Sequence, residues 1–401
     1  MDNKTTGSKK YTPEVFSFGI VCYRNWEFMK ETIDSVLMQD YSQIQLIVSD
    51  DGSDNFPVEE FEQYIESHKQ DNLISYTVRH SEKNEGTVRH LNRVLDCVEG
   101  EYIMFMAADD TLDNSSVFSH YVQAFQKEGD KCGVVMGQTA LYDITMSEFL
   151  EYYVWPDVID AINKEDSSEA LLNALYFLPC IPTTSTCFRR WVIDQYTPFD
   201  TNYQLIEDYP FHLKLAENNV EMHYENFVAA RHRDGGISHG AVTALSRSKR
   251  MYYEDCILAR KTVLEKIQKT QVPENIVCFN KFQIAAHDRM LLTTGNKLKD
   301  FLRYAVKYPQ YAINDAGSHA NERRTVKWSI LMVSFLILYL LVPECASMLS
   351  PVIPFIPSDT LCVTLSALFL GISCLLGIFV IVDLTLLLAA RLGKFPDELA
   401  N

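Results

Sequence analysis

The chain has 401 residues, with 36 Lys and Arg against 53 Asp and Glu, a formal net charge of −17 at pH 7. That length exceeds what one hydrophobic core usually serves, so two or three domains are expected. The acidity excludes nucleic acid as the main partner, because such binding neutralises phosphates with Lys and Arg; an anionic ligand would need a metal or a few placed cations. The ten cysteines form no CxxC pair and no Cys/His spacing that suits zinc, so reduced, buried thiols are expected. The opening MDNKTTGSKK has no apolar core of a signal peptide, which predicts that the first 325 residues stay in the cytoplasm.

Residues 15–23 are apolar and β-prone, 26–39 carry apolar residues at helical spacing, and 44–48 are strand-like again. The alternation continues as helix over 61–68, strand over 75–78, helix over 88–98, strand over 102–106, helix over 117–128 and strand over 134–136. Strands alternating with helices of this length imply βαβ units and a mainly parallel sheet wound by right-handed crossovers. The predicted fold class is therefore α/β and doubly wound.

In such sheets ligands bind at the C-terminal strand ends, and polar clusters fall there. Tyr23 and Arg24 follow the first strand, and the second ends in Ser49, Asp50, Asp51, Gly52, Ser53 and Asp54. The third leads to His80, Asn84, Gly86 and Arg89, the last a candidate cation for the donor's phosphates. The fourth, GEYIMFMAADD, ends abruptly in Asp109 and Asp110. Any one cluster also reads as a turn or a helix cap, since Asp, Asn, Gly and Ser make turns anyway. Their common phase on one rim favours a binding site.

The segments FSFGIVCYRNWEFMKETIDSVLMQDYSQIQLIVSDDGSD and NEGTVRHLNRVLDCVEGEYIMFMAADD resemble the inverting glycosyltransferase family numbered 2, over roughly residues 16–240. The resemblance implies a GT-A fold, a nucleotide-sugar donor with a UDP-sugar favoured, and transfer with inversion. It implies that Asp51 hydrogen-bonds the nucleotide base with Tyr23 packed beside it, that Asp109 contacts ribose or metal, and that Asp110 coordinates Mg²⁺ or Mn²⁺. In LIEDYPFHLKL, Glu207 and Asp208 match the family's ED motif, with Asp208 as catalytic base, and in RHRDGGISHG, Arg231, His232 and Arg233 resemble a segment that faces diphosphate or metal. Two positions depart from the pattern: Ala107 stands where many relatives have a further Asp, and Arg24 where Asn is common.

The chemistry asks for the same residue types. A departing nucleoside diphosphate accumulates negative charge that a divalent ion stabilises, and one or two carboxylates plus the substrate's phosphates commonly hold such an ion. An attacking sugar hydroxyl needs a positioned base, for which Asp208 is the candidate; a capping role at the helix over 210–217 is its alternative. A nucleotidyltransferase would want a Gly-rich phosphate loop with Lys after the first strand, and Tyr23, Arg24, Asn25, Trp26 offers none. A catalytically inactive membrane scaffold is the other alternative, against which Asp51, Asp110 and Asp208 stand together.

Residues 241–316 read as helical with a break at Pro273, either an acceptor-side platform or a stalk. Residues 328–342 are free of charge and 361–382 are almost uniformly apolar, long enough at the second run to span a bilayer. Arg323, Arg324 and Lys327 before the first run and Arg391 and Lys394 after the second predict a hairpin with both ends cytoplasmic. The expected division is thus a catalytic domain over 1–240, a helical linker over 241–326, two transmembrane helices over 327–392 and a tail over 393–401, at the inner (plasma) membrane. Anchoring implies an acceptor at the bilayer, a polyprenyl-linked saccharide or surface glycan, extended stepwise because two spans are too few for a polymer channel.

Overall fold

The computed structural model describes residues 11–164, 167–177, 181–236, 245–268, 272–294, 297–308 and 311, and then 331–334, 336–337, 340 and 363–377. Nine strands among them form one sheet: β1 (Thr12–Cys22), β2 (Ile44–Asp50), β3 (Leu73–His80), β4 (Gly100–Ala107), β5 (Thr111–Leu112), β6 (Cys132–Tyr142), β7 (Phe149–Tyr152), β8 (Thr186–Arg189) and β9 (Glu221–Arg233). Their order is β3-β2-β1-β4-β8-β6-β9-β5, with β7 paired to β6.

The half β3-β2-β1-β4 is parallel, as βαβ alternation predicts. Register aligns its ends: Cys22 faces Asp50, Asp50 faces His80 and Val21 faces Ala107, which puts the polar residues beyond each strand on one rim. The other half corrects the expectation of a mainly parallel sheet. β8 runs antiparallel to both β4 and β6, β7 antiparallel to β6 and β5 antiparallel to β9, so the sheet is mixed.

Alternation along the strands divides the core. Phe16, Phe18 and Ile20 of β1 join Tyr102, Met104 and Met106 of β4 under the helices Met29–Leu37 and Val117–Glu128. Phe118 stacks on Phe16 there with ring centroids 3.9 Å apart. Ile103 and Phe105 point the other way, onto Val88, Leu91 and Val94 of the helix Thr87–Leu95. Gly19 lies opposite Phe105 on that face, where a Cβ would come within 2.8 Å of the Phe105 ring. Both faces are covered, which explains why β2 is buried along its whole length.

The segment expected as a linker contributes to this same core. Ala259, Val263 and Ile267 of the helix Arg247–Ile267, and Ile276 of Glu274–Leu291, pack with the residues on the Phe105 side. Packing groups the chain through Leu291 into one compact unit and Leu292–Asn401 into a second. In the second, the helix Lys297–Lys307 and helical residues 331–334 and 363–377 are described, and Ser373 Oγ reaches the Met332 carbonyl at 3.5 Å. Among the described residues no helix is long and apolar enough to cross a membrane. Most of the two expected spans, and the tail over 393–401, lie outside the described residues, so the structure does not show the transmembrane pair.

Candidate active site

The loop from Ala107 to Asp110 is fixed by Thr32, whose hydroxyl donates to the Ala108 carbonyl at 2.9 Å and lies 2.7 Å from that of Asp110. β5 begins at the next residue, and its register sets Thr111 against Arg231. That pairing carries the Asp110 carboxylate, 1% exposed, against the end of β9. His232 Nδ1 lies 2.9 Å from both carboxylate oxygens, the Arg233 amide donates to Oδ1 at 3.0 Å and the Thr184 hydroxyl to Oδ2 at 3.3 Å. Burial alone would lower the pKa of His232, but the charges of Asp110 and Asp109 outweigh it and hold the imidazole above its ordinary value. Burial and the neighbouring Asp110 charge push Asp109 up as well.

A cleft of about 270 Å³ opens here, with Asp110, His232, Thr183, Thr184, Tyr153 and Glu207 among its walls. The Tyr153 and His232 rings meet edge to face at 6.4 Å, and burial, then the charge of Asp208, pushes the Tyr153 phenol up to about 12. Tyr153 thereby bridges the Asp110 side to the Asp208 side. Glu207 and Asp208 open the helix Asp208–Glu217, where Asp208 Oδ1 accepts its neighbour's amide at 2.6 Å. Burial raises both carboxyls above the ordinary range, and the Asp208 charge raises Glu207 further. A larger hollow of about 530 Å³ beside Phe199, Lys214 and Lys266 lacks these acids.

Asp51, 3% exposed, takes the Gly86 amide at 2.9 Å and the Glu85 amide at 3.1 and 3.2 Å on its two oxygens. Burial pushes its carboxyl up to about 6 against the pull of those bonds. Its neighbour Asp50 closes the turn, accepting from the Ser53 amide at 2.7 Å, with His80 Nδ1 at 2.8 Å. Tyr23 is 39% exposed at the rim, and Arg24 has φ +63° with its side chain on Asp54 at 3.1 Å. That left-handed conformation is one Asn adopts more readily than Arg.

Not all expected residues converge. Arg89 is exposed on the helix Thr87–Leu95. Arg231 pairs with Asp113 at 2.8 Å and stacks on Tyr142, away from the cleft walls. Arg233 is spent on structure, donating to the carbonyls of Asp109 and Ile144 and to Glu31. Thr183, Thr184 and Tyr153 were not foreseen; the polar run Thr183, Thr184, Ser185 before a strand is the one local signal that could have marked the first two.

Among the described residues no three or more His, Cys, Asp and Glu gather closely enough to hold a metal alone. The donor set still fits Mg²⁺ or Mn²⁺ held jointly with a substrate's phosphates: Asp109 and Asp110 are adjacent carboxylates, and Asp109 is raised by burial and then by the charge of Asp110, so a cation beside them would be favoured.

Residues 17–157 match glycosyl transferase family 2. That match runs from within β1 through β7 and includes Asp51, Asp109, Asp110 and Tyr153. The chain is 28% identical over 173 residues to glycosyltransferase GlyG of Streptococcus pneumoniae, covering 41% of this chain and 55% of that protein. It is 24% identical over 216 residues to poly-β-1,6-N-acetyl-D-glucosamine synthase of Staphylococcus epidermidis, covering 53% and 48%. The aligned region thus spans about half the length of these curated relatives. Solved structures with similarity include S. aureus TarS 1–349 in complex with UDP-GlcNAc (TM-score 0.47, 17% identity, 89% of this chain and 92% of that one). Another is mannosyltransferase PcManGT from Pyrobaculum calidifontis with GDP-Man and Mn²⁺ (TM-score 0.48, 14% identity, 91% and 87%).

Proposed function

We propose that this chain is an inverting glycosyltransferase that moves a sugar from a nucleoside-diphosphate sugar, with a UDP-sugar favoured, to an acceptor hydroxyl. The observation that carries this reading is a cleft lined by Asp110, His232, Tyr153 and Glu207, with Asp208 next to Glu207 and near enough to Tyr153 for its charge to raise that phenol. Asp51 and Tyr23 border the nucleotide base. Asp109 and Asp110 would hold a divalent ion, with His232 beside them once it has given up its proton, and that ion would supply charge neutralisation to the departing diphosphate. Asp208 takes the proton of the acceptor hydroxyl, and Glu207, protonated first because Asp208 stays charged beside it, donates a hydrogen bond to substrate. Tyr153, buried beside Asp208, keeps its phenol neutral and limits water on that wall.

The acceptor in this reading is a lipid-linked or cell-surface glycan, in keeping with the polysaccharide synthase named among the relatives. Support comes from the apolar runs after Lys327 and from Val333, Ile337, Leu340, Val363, Leu368 and Leu375, all well exposed on the described helical pieces as lipid-facing residues would be. The protein would then sit at the inner membrane with its catalytic part cytoplasmic.

A panel of UDP- and GDP-sugars assayed for nucleoside diphosphate release with Mg²⁺, with Mn²⁺ and with EDTA tests the proposal. Release from at least one donor that EDTA abolishes is expected; silence toward every donor with either metal refutes it.

A further inference from the structure

One acid far from all the motifs reaches the segment that carries the ED pair. Asp255, 3% exposed in the helix Arg247–Ile267, accepts through Oδ2 the backbone amides of Gln204 at 2.8 Å, Leu205 at 2.7 Å and Ile206 at 3.3 Å. These three residues immediately precede Glu207 and Asp208 and belong to no helix or strand. Without Asp255 three partly buried amides would lack an acceptor, a cost that folded chains avoid.

The same segment is gripped from its other side. The Gln204 carbonyl accepts the Val88 amide at 3.2 Å, and a Cβ on Gly86 would lie 2.9 Å from that oxygen. Gly86 is in turn held by Asp51 at 2.9 Å. The helix that carries Asp255 is itself anchored: Val263 is fully buried, and Arg260 donates to the Phe177 carbonyl at 2.8 Å and to Asn280 at 3.2 Å. Charge-assisted bonds from one fixed carboxylate to three successive amides fix both position and direction of the chain entering Glu207.

We infer that Asp255 is a positioning residue for the reaction: by clamping residues 204–206 it sets where the Asp208 carboxylate stands in the cleft. This rests on the reading of Asp208 as base. Losing the clamp leaves Asp208 chemically unchanged but misplaced, and misplacement by an ångström lowers turnover more than donor binding.

The test compares the full chain with its Asp255→Asn and Asp255→Ala variants. Asn is isosteric and keeps an acceptor oxygen without the charge, so it serves if the Ala variant fails to fold. Hydrogen exchange without any donor should show the amides of 204–206 opening at least about tenfold faster in the Asn variant, with β1 to β4 protected as before. With the donor of highest turnover in the sugar-nucleotide panel, kcat should fall at least about tenfold while donor KM stays within about threefold. Unchanged exchange at 204–206, or faster exchange with kcat intact, overturns the inference, as does a loss that merely tracks a lowered melting temperature. A wild-type chain that transfers no sugar defeats the glycosyltransferase reading and this role with it; the donor-free exchange then still reports whether the clamp exists.

Discussion

Replacing Asp110 by Asn keeps the shape of the side chain and removes its charge, which makes it an incisive perturbation of the cleft. In the wild type the carboxylate, 2% exposed at its side chain, faces only donors: His232, the Arg233 amide and the Thr184 hydroxyl. An Asn amide offers one acceptor oxygen where there were two, so its NH₂ must face His232 or the Arg233 amide, donor against donor. Breaking a buried ion pair costs about 3–5 kcal/mol, and an unsatisfied buried donor about 1–3 kcal/mol. His232 is 20% exposed at its side chain and can discharge by losing a proton, so a destabilisation of about 3 kcal/mol near pH 6 is expected. The pH dependence follows from the raised pKa of His232. The pair's contribution is complete below the unfolded imidazole pKa of about 6.5 and is lost as pH rises through the higher folded value. Urea unfolding of the metal-free, donor-free protein should therefore show a deficit for Asp110→Asn that shrinks between pH 6 and pH 9. An equal deficit at both, or one under about 1 kcal/mol at pH 6, would refute the ion-pair account.

Asp208→Asn should leave the melting temperature near wild type and lower transfer by about 10²–10⁴-fold, read by nucleoside diphosphate release with acceptor present. Because burial raises the Asp208 and Glu207 carboxyls, the wild-type kcat/KM should fall with acid along a limb that lies above the ordinary carboxyl value of about 4, measured from pH 4.5 to 9. His212 is buried against Phe188, and burial holds its pKa down at about 3, so its contribution is complete above the unfolded value of about 6.5 and is lost as pH falls toward the folded one. A His212→Phe variant should accordingly lose less melting temperature than wild type between pH 7.5 and pH 5. Gly52→Ala should cost about 2 kcal/mol or more, because φ is +78° and the new Cβ would lie 2.3 Å from the Lys83 carbonyl carbon; urea unfolding measures it.

The parallel half of the sheet was legible because β1, β2 and β4 are apolar runs between turn residues, largely buried, while the edge strand β3 is β-prone although only Val78 in it is buried. The mixed half was not. β8 is four residues long, β7 is exposed at every position, and the burial of β9 follows no clean alternation, so their pairing comes from neighbours that the local pattern does not show. At the site, Asp109, Asp110, Glu207 and Asp208 could be found because acids end an apolar strand or open a helix. Asp255 could not, since one Asp among the charged residues of a long helix looks like a solvated face, and its partners lie 49 to 51 residues away. Arg231 was drawn toward the phosphates by the resemblance, but it is the immediate neighbour of His232 on β9, where adjacent side chains point to opposite faces.

The acids in and around this cleft are held in different ways. Asp50, Asp51 and Asp255 each accept from backbone amides, so their charge is distributed over donors that hold three loops in place. Asp208 accepts the Tyr209 amide, and burial raises Asp109, Glu207 and Asp208, as it raises Asp51 against the pull of its two amides. A raised carboxyl is one that gains by meeting a cation or a proton, so these are the groups with free energy to spend on substrate. Mg²⁺ or Mn²⁺ brought in with a diphosphate would lower Asp109 toward its ordinary value, while Asp208, across Tyr153, would keep enough basicity to accept a hydroxyl proton. Removing an amide cradle and removing a raised acid should thus differ in kind: Asp255→Asn loosens the loop and leaves the titration of the ED pair recognisable, whereas Asp208→Asn leaves the loop closed and abolishes the acid limb.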